Sequence, residues 1–101
     1  MPLPFAAADV AAALVEKGME QSPNHHWMYR RRIEGITTLV TRISFSGSEI
    51  GQENAHKMAN QCMLRLAEFV RLIDCTLSSD EWEALIRERC VGGRNPFLGN
   101  R

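Results

Sequence analysis

An alanine-rich helical opening, a stretch of period-two alternation, and a second half with apolar residues at helical spacing together predict a single α+β domain. At 101 residues and with 45% hydrophobic side chains, the chain can bury one modest core and no second one. The expected arrangement stacks the helices on one face of a small antiparallel sheet and leaves the other face open.

Residues 6–17 (AAADVAAALVEK) are strong helix formers, with Val10 and Leu14 among alanines at helical spacing. Gly18 stands where a helix prefers its C-terminal glycine. Residues 19–22 can add a short strand, and Pro23-Asn24 is turn chemistry. From His25 to Ile33 the chain alternates. His25, Trp27 and Tyr29 fall on one face, which the aromatics turn inward, and His26, Met28, Arg30 and Arg32 on the other. Glu34-Gly35 reads as a tight turn. The β-branched run at 36–45 (ITTLVTRISF) reads as a second strand returning antiparallel, with Ser46-Gly47-Ser48 closing the hairpin region.

Everything beyond reads as helix. Ala55, Met58, Ala59, Cys62 and Met63 form one apolar stripe, and Leu66, Phe69, Val70 and Ile73 repeat it. Ser78 with Glu81 is a capping box, announcing a third helix that buries Trp82, Leu85 and Ile86. The predicted order is α-β-β-β-α-α-α. The domain spans 1–91, and the aperiodic tail at 92–101 (GGRNPFLGNR) is expected to be mobile.

Composition narrows the function classes. Charged residues (24%) and apolar ones sit near globular averages, which excludes disordered and fibrous classes. No apolar run approaches the roughly 18 to 20 residues of a membrane span. The first residues lack the positive segment of a secretory signal, so a cytoplasmic location is expected. Cys62, Cys75 and Cys90 are odd in number and contain no C-x-x-C pair, so reduced, structural thiols are expected and no metal or cofactor. No Gly-rich phosphate loop, G-x-S-x-G or H-E-x-x-H occurs.

Twelve Lys+Arg balance twelve Asp+Glu, yet the balance is not local. Residues 30–42 hold Arg30, Arg31, Arg32 and Arg42 against Glu34 alone. Arginine forks suit phosphate oxygens, which makes these four candidate RNA contacts. The competing reading is a solvated strand whose charges block edge pairing. His25 and His26 precede the arginines and titrate near neutrality, as proton transfer in phosphodiester cleavage requires. Parity groups His26 with Arg30 and Arg32, so His26 has the better cationic neighbours; a bulge near Pro23 would exchange it for His25. His56 lies off the helical stripe and reads as a surface residue. Glu81, Glu83 and Glu88 beside Arg87 and Arg89 read as a solvated helix face.

The leading helix ending at Gly18, then Asn24-His25-His26-Trp27-Met28-Tyr29-Arg30, a glycine turn and a strand, resembles the HicA toxin family over about residues 6–64. The helix beginning near Glu49-Ile50 and running through Met58-Ala59-Asn60-Gln61 resembles that family's following helix. The run from Glu68 to Ser78 resembles an extension in longer HicA-like proteins, reaching about residue 90. The resemblance implies a double-stranded-RNA-binding-domain-like α-β-β-β-α core with two additional C-terminal helices. It further implies metal-independent endoribonuclease activity on mRNA, with the signature histidine at His26 as general acid/base, and a HicB-like antitoxin partner. The sequence departs from the family in lacking the motif glycine before His26, and in having Ser44-Phe45 where family members carry Pro and His. A noncatalytic RNA-binding module and a protein-interaction domain, with an apolar groove on the C-terminal helices, are the alternatives on the same scaffold.

Overall fold

The opening alanines give helix α1 (Ala7–Glu16), which buries Ala7, Val10, Ala13 and Leu14 along one stripe. The coordinates, a computed structural model, describe residues 4–23, 27–43 and 49–98. Gly18 ends α1 at φ +100°. Its N–H donates to Val15 O (3.1 Å) and the Met19 N–H to Leu14 O (3.0 Å), the paired bonds of a Schellman cap.

Two short elements precede the main hairpin: β1 (Phe5–Ala6) before α1, and β2 (Glu20–Gln21) after it. The hairpin is β3 (Met28–Ile33) and β4 (Thr37–Arg42), antiparallel, with Tyr29 opposite Thr41, Arg31 opposite Leu39 and Ile33 opposite Thr37. Its turn closes through the Ile36 N–H on Ile33 O (2.9 Å), with Gly35 at φ +79° supplying the positive angle. β2 pairs with β3, giving the sheet order β2-β3-β4. Glu49–Ile50, expected to begin a helix, is instead a two-residue strand, β5, that pairs with β1 as a separate ribbon, and the helix starts only at Gln52. The expected turn at Ser46-Gly47-Ser48 lies outside the described residues.

Three helices follow: α2 (Gln52–Gln61), α3 (Leu66–Ile73) and α4 (Ser79–Arg89). The stripe Ala55, Met58, Ala59, Cys62 and Met63 is buried throughout, as are Phe69, Val70 and Ile73. The expected capping box starts α4. Ser78 Oγ accepts from the Glu81 N–H (3.0 Å), and Glu81 Oε1 accepts from the Ser78 N–H (2.9 Å). Trp82 and Ile86 reach the core and Leu85 packs at its margin. The Trp82 indole donates to Cys62 O (2.9 Å), tying α4 to the end of α2. α2 packs on β4 and α3, and α1 packs on α3. The core therefore lies between the helices and the sheet's inner face, and the fold is α+β.

Of the C-terminal segment, expected as a mobile tail, the residues as far as Leu98 are described. Its first described part is a turn with Val91 paired to Arg94, followed by a single 3₁₀ turn at Pro96–Leu98. Asn95 Nδ2 donates to Asn60 O (2.7 Å) and Gln61 O (3.2 Å), and Phe97 packs against the core. Gly93 O accepts from Thr37 Oγ1 (3.0 Å). Polar bonds to α2 and β4 hold the segment, which is why no apolar period marks it.

Candidate nucleic-acid interface

Strand alternation divides the three consecutive arginines of β3 between the two faces of the sheet. Arg30 and Arg32 stand exposed on the outer face. Directly opposed residues share a face, so Val40 and Thr38 of β4 stand beside them, and Arg42, opposite Met28, joins the same face. Glu20 of β2 stands opposite Arg30 on the other side. Arg30 thus sits in the middle strand between Glu20 and Val40, where guarding a sheet edge does not account for it. Arg30 and Arg32 are two residues apart, which puts their Cα atoms about 7 Å from one another along the strand.

This face holds a shallow open depression of about 650 Å³ lined by Gly18, Glu20, Arg30, Arg32 and Thr38. A smaller one of about 280 Å³, lined by Glu20, Gln21, Ser22, Pro23 and Arg30, continues it toward the connection between β2 and β3. Among the described residues, none hydrogen-bonds or ion-pairs with the side chains of Glu20, Arg30, Arg32 or Arg42. Two guanidinium forks and one carboxylate therefore border the larger depression with their bonding capacity turned to solvent.

Arg31, grouped by sequence with the RNA contacts, is the correction. It points to the inner face and is buried. Its Nη1 donates to Lys17 O (2.7 Å) and Ser79 Oγ (2.8 Å), and its Nη2 to Glu83 Oε1 (3.0 Å). The guanidinium also lies 4.9 Å from the Trp82 ring centre. Ser79 Oγ donates to the same Lys17 carbonyl (3.0 Å), and Lys17 Nζ donates to Leu77 O (2.8 Å). Arg31 thus ties β3 to the end of α1 and to α4, with both terminal nitrogens engaged there and the side chain buried on the inner face. A Cβ at Gly18 would meet Arg31 Nη1 only at ordinary contact distance (3.4 Å), so it is the left-handed φ of +100° that calls for glycine there.

The expected solvated face of α4 is likewise more engaged than its composition suggests. Arg89 reaches α3, where its two terminal nitrogens contact Glu68 at 2.8 and 2.7 Å, and it also donates to Met63 O (3.0 Å). These bonds hold the Glu68 carboxyl down at about 2. Glu83 is held below the usual carboxylate range by Arg87 and then Arg31.

His25 and His26 fall among residues 24–26, outside the described residues. On either side of them, the Ser22 N–H donates to Met28 O (2.9 Å), next to the smaller depression. Trp27 is half-buried against the core and His56 is exposed, both as expected. Cys62 is buried, Cys90 half-buried and Cys75 exposed, all as free thiols. Burial pushes the Cys62 thiol up to about 12. Among the described residues no cluster of His, Cys, Asp or Glu could hold a metal ion, and no helix is long and apolar enough to cross a membrane.

Sequence reasoning missed Glu20 and Thr38 as lining residues. Strand parity gave Thr38 to whichever register the turn selected, and a two-residue strand offers no period from which to place Glu20. No family model, curated protein or solved structure matches the chain.

Proposed function

We propose that this protein binds RNA across the open face of its sheet and cleaves it without a metal, as a HicA-like endoribonuclease. The observation that carries the reading is the set Arg30, Arg32 and Arg42, exposed on one face with no partner among the described residues. Phosphate oxygens satisfy such forks in pairs and give affinity without base selectivity. Between α1 and α2 the chain forms the three-stranded antiparallel sheet β2-β3-β4 and then the two-residue β5, which pairs with β1 instead; the α1-sheet-α2 order supports a double-stranded-RNA-binding-domain-like core, with α3 and α4 as the additional helices.

In the cleavage step the RNA 2′-hydroxyl attacks the neighbouring phosphorus as a histidine takes its proton, the P–O5′ bond breaks to leave a 2′,3′-cyclic phosphate, and the departing 5′-oxygen takes a proton from water. His26 is assigned this role on its sequence parity with Arg30 and Arg32, and His25 is its alternate. The arginines stabilise the negative charge that builds on the phosphate oxygens. A HicB-like antitoxin is proposed as the partner that covers the same face. A protein-interaction role through an apolar groove has less support, because the apolar stripes of α2, α3 and α4 are buried in the core. Among the described residues the exposed large apolar side chains are Val15, Val40, Val91 and Leu98, scattered over separate elements.

The test is cleavage of a single-stranded RNA in EDTA by wild type, His26→Ala and His25→Ala, with circular dichroism confirming that all three fold. Cleavage by wild type that His26→Ala abolishes, and that a 2′-deoxy substitution in the RNA also blocks, is the expected result. Binding without cleavage by wild type would reduce the function to a noncatalytic RNA-binding module.

A further inference from the structure

Phosphate contacts explain the arginines and leave Glu20 unexplained. A carboxylate on a phosphate-binding face repels the ligand's charge, and this one lies opposite Arg30 and lines the larger depression without pairing to it. Resting on the RNA-binding reading above, we infer that the depression bordered by Glu20, Arg30, Arg32 and Thr38 is a recognition pocket for an unstacked guanine in single-stranded RNA, with Glu20 as its specificity-determining residue.

The chemistry singles out guanine. An ionised carboxylate only accepts hydrogen bonds. Guanine alone among the four bases presents two adjacent donors, N1–H and the 2-amino group, which match the two carboxylate oxygens. Adenine and cytosine each place a ring acceptor beside their amino group, facing the carboxylate with repulsion. Uracil offers a single N–H between two carbonyls. Guanine's opposite edge carries the O6 and N7 acceptors, the pair that arginine recognises with two bonds. One carboxylate and two guanidinium groups around one depression therefore complement both edges of the same base. Single-stranded RNA is commonly read in this way, by splayed-out bases bonded on their Watson–Crick and Hoogsteen edges.

The experiment measures binding by fluorescence anisotropy to a uridine-rich 12-mer carrying one central guanine, inosine, adenine or uridine. Wild type and the variants Glu20→Gln and Glu20→Ala are compared, using non-cleavable 2′-O-methyl RNA. Glu20 is exposed on a two-residue edge strand, so both variants are expected to fold. Wild type is expected to prefer guanine over adenine by about 5- to 150-fold, the range that one good two-bond base contact carries. Inosine, which lacks the 2-amino group, should fall between them. Both variants should lose the preference: Glu20→Ala should bind the guanine 12-mer more weakly than wild type, and the adenine and uridine 12-mers more tightly because a repulsive charge is gone. Equal wild-type affinity for all four 12-mers, or a guanine preference that survives in both variants, overturns the assignment of Glu20 and leaves the RNA-binding reading standing. No binding of any 12-mer at low salt overturns both.

Discussion

Arg30, Arg31 and Arg32 are identical in type and adjacent in sequence, and the structure gives the middle one a different task. Replacing Arg31 with Met keeps the aliphatic stem and removes the guanidinium. The loss comprises the hydrogen bonds to Lys17 O and Ser79 Oγ, each from a charged donor and each of about 1.5 kcal/mol. The contact with the Trp82 ring adds about 1 kcal/mol. The contact with Glu83 faces solvent and is screened. Lys17 O still accepts from Ser79, and Glu83 still accepts from Arg87, so neither acceptor is left bare. Relief of the desolvation that a buried charge suffers returns roughly 1 to 2 kcal/mol. The net loss is about 2 kcal/mol, a large part of the 5 to 15 kcal/mol typical of a whole domain. With a urea slope of about 1.5 kcal/mol per M, the unfolding midpoint should fall by about 1 M. Arg30→Met and Arg32→Met, both on the exposed face, should stay within about 0.5 kcal/mol of wild type. RNA affinity should follow the opposite order, reduced in Arg30→Met and Arg32→Met and retained in folded Arg31→Met. An Arg31→Met protein with the wild-type midpoint, or one that folds yet loses RNA while the other two keep it, would refute this division.

Other consequences concern stability and reactivity. Glu68 titrates at about 2 in the folded chain against 4.5 when free, chiefly through the Arg89 hydrogen bonds. A carboxyl depressed by folding adds stability above its free value and loses it as pH falls through the folded one. Glu68→Gln should therefore unfold at lower urea than wild type at pH 7, and the two midpoints should converge between pH 4.5 and about 2. Trp82→Phe removes the bond to Cys62 O and leaves space in the core, at a cost of about 2 kcal/mol. A thermal melt followed by circular dichroism should drop by about 10 °C. Iodoacetamide labelling read by mass spectrometry should modify exposed Cys75 first and leave Cys62 unlabelled until urea unfolds the chain, since that thiol is buried and its proton is held tightly.

Elements whose signals are local were legible in the sequence. α1 announced itself through its alanines and Gly18, α4 through Ser78 and Glu81, and the hairpin through alternation before Gly35 and β-branched residues after it. The ends of α2 and α3 were not marked in this way, because their caps use non-glycine residues in the left-handed region: Met63 at φ 63° and Cys75 at φ 73°. Both complete the same paired bonds as Gly18, with the Leu64 N–H on Ala59 O and the Thr76 N–H on Arg71 O. The β1–β5 ribbon joins two-residue strands far apart in sequence, and no period can develop over that length. Arg31 divides along the same line. Parity placed it inward, while its type argued for water. The partners that make burial tolerable, Ser79 and Glu83, lie 48 and 52 residues away. Glu20 escaped notice because its meaning depends on standing opposite Arg30.

RNA binding on the open sheet face through phosphate contacts makes affinity depend on salt in a way the arginines set. The measurement is the salt dependence of affinity for a mixed-sequence single-stranded RNA, in wild type and in the triple variant Arg30→Ala, Arg32→Ala, Arg42→Ala. Each lost phosphate contact should make the slope of log affinity against log salt shallower by about 0.7. The triple variant is therefore expected to bind more weakly, with a slope shallower by about 2. A folded triple variant with the wild-type affinity and slope would show that RNA does not bind on this face.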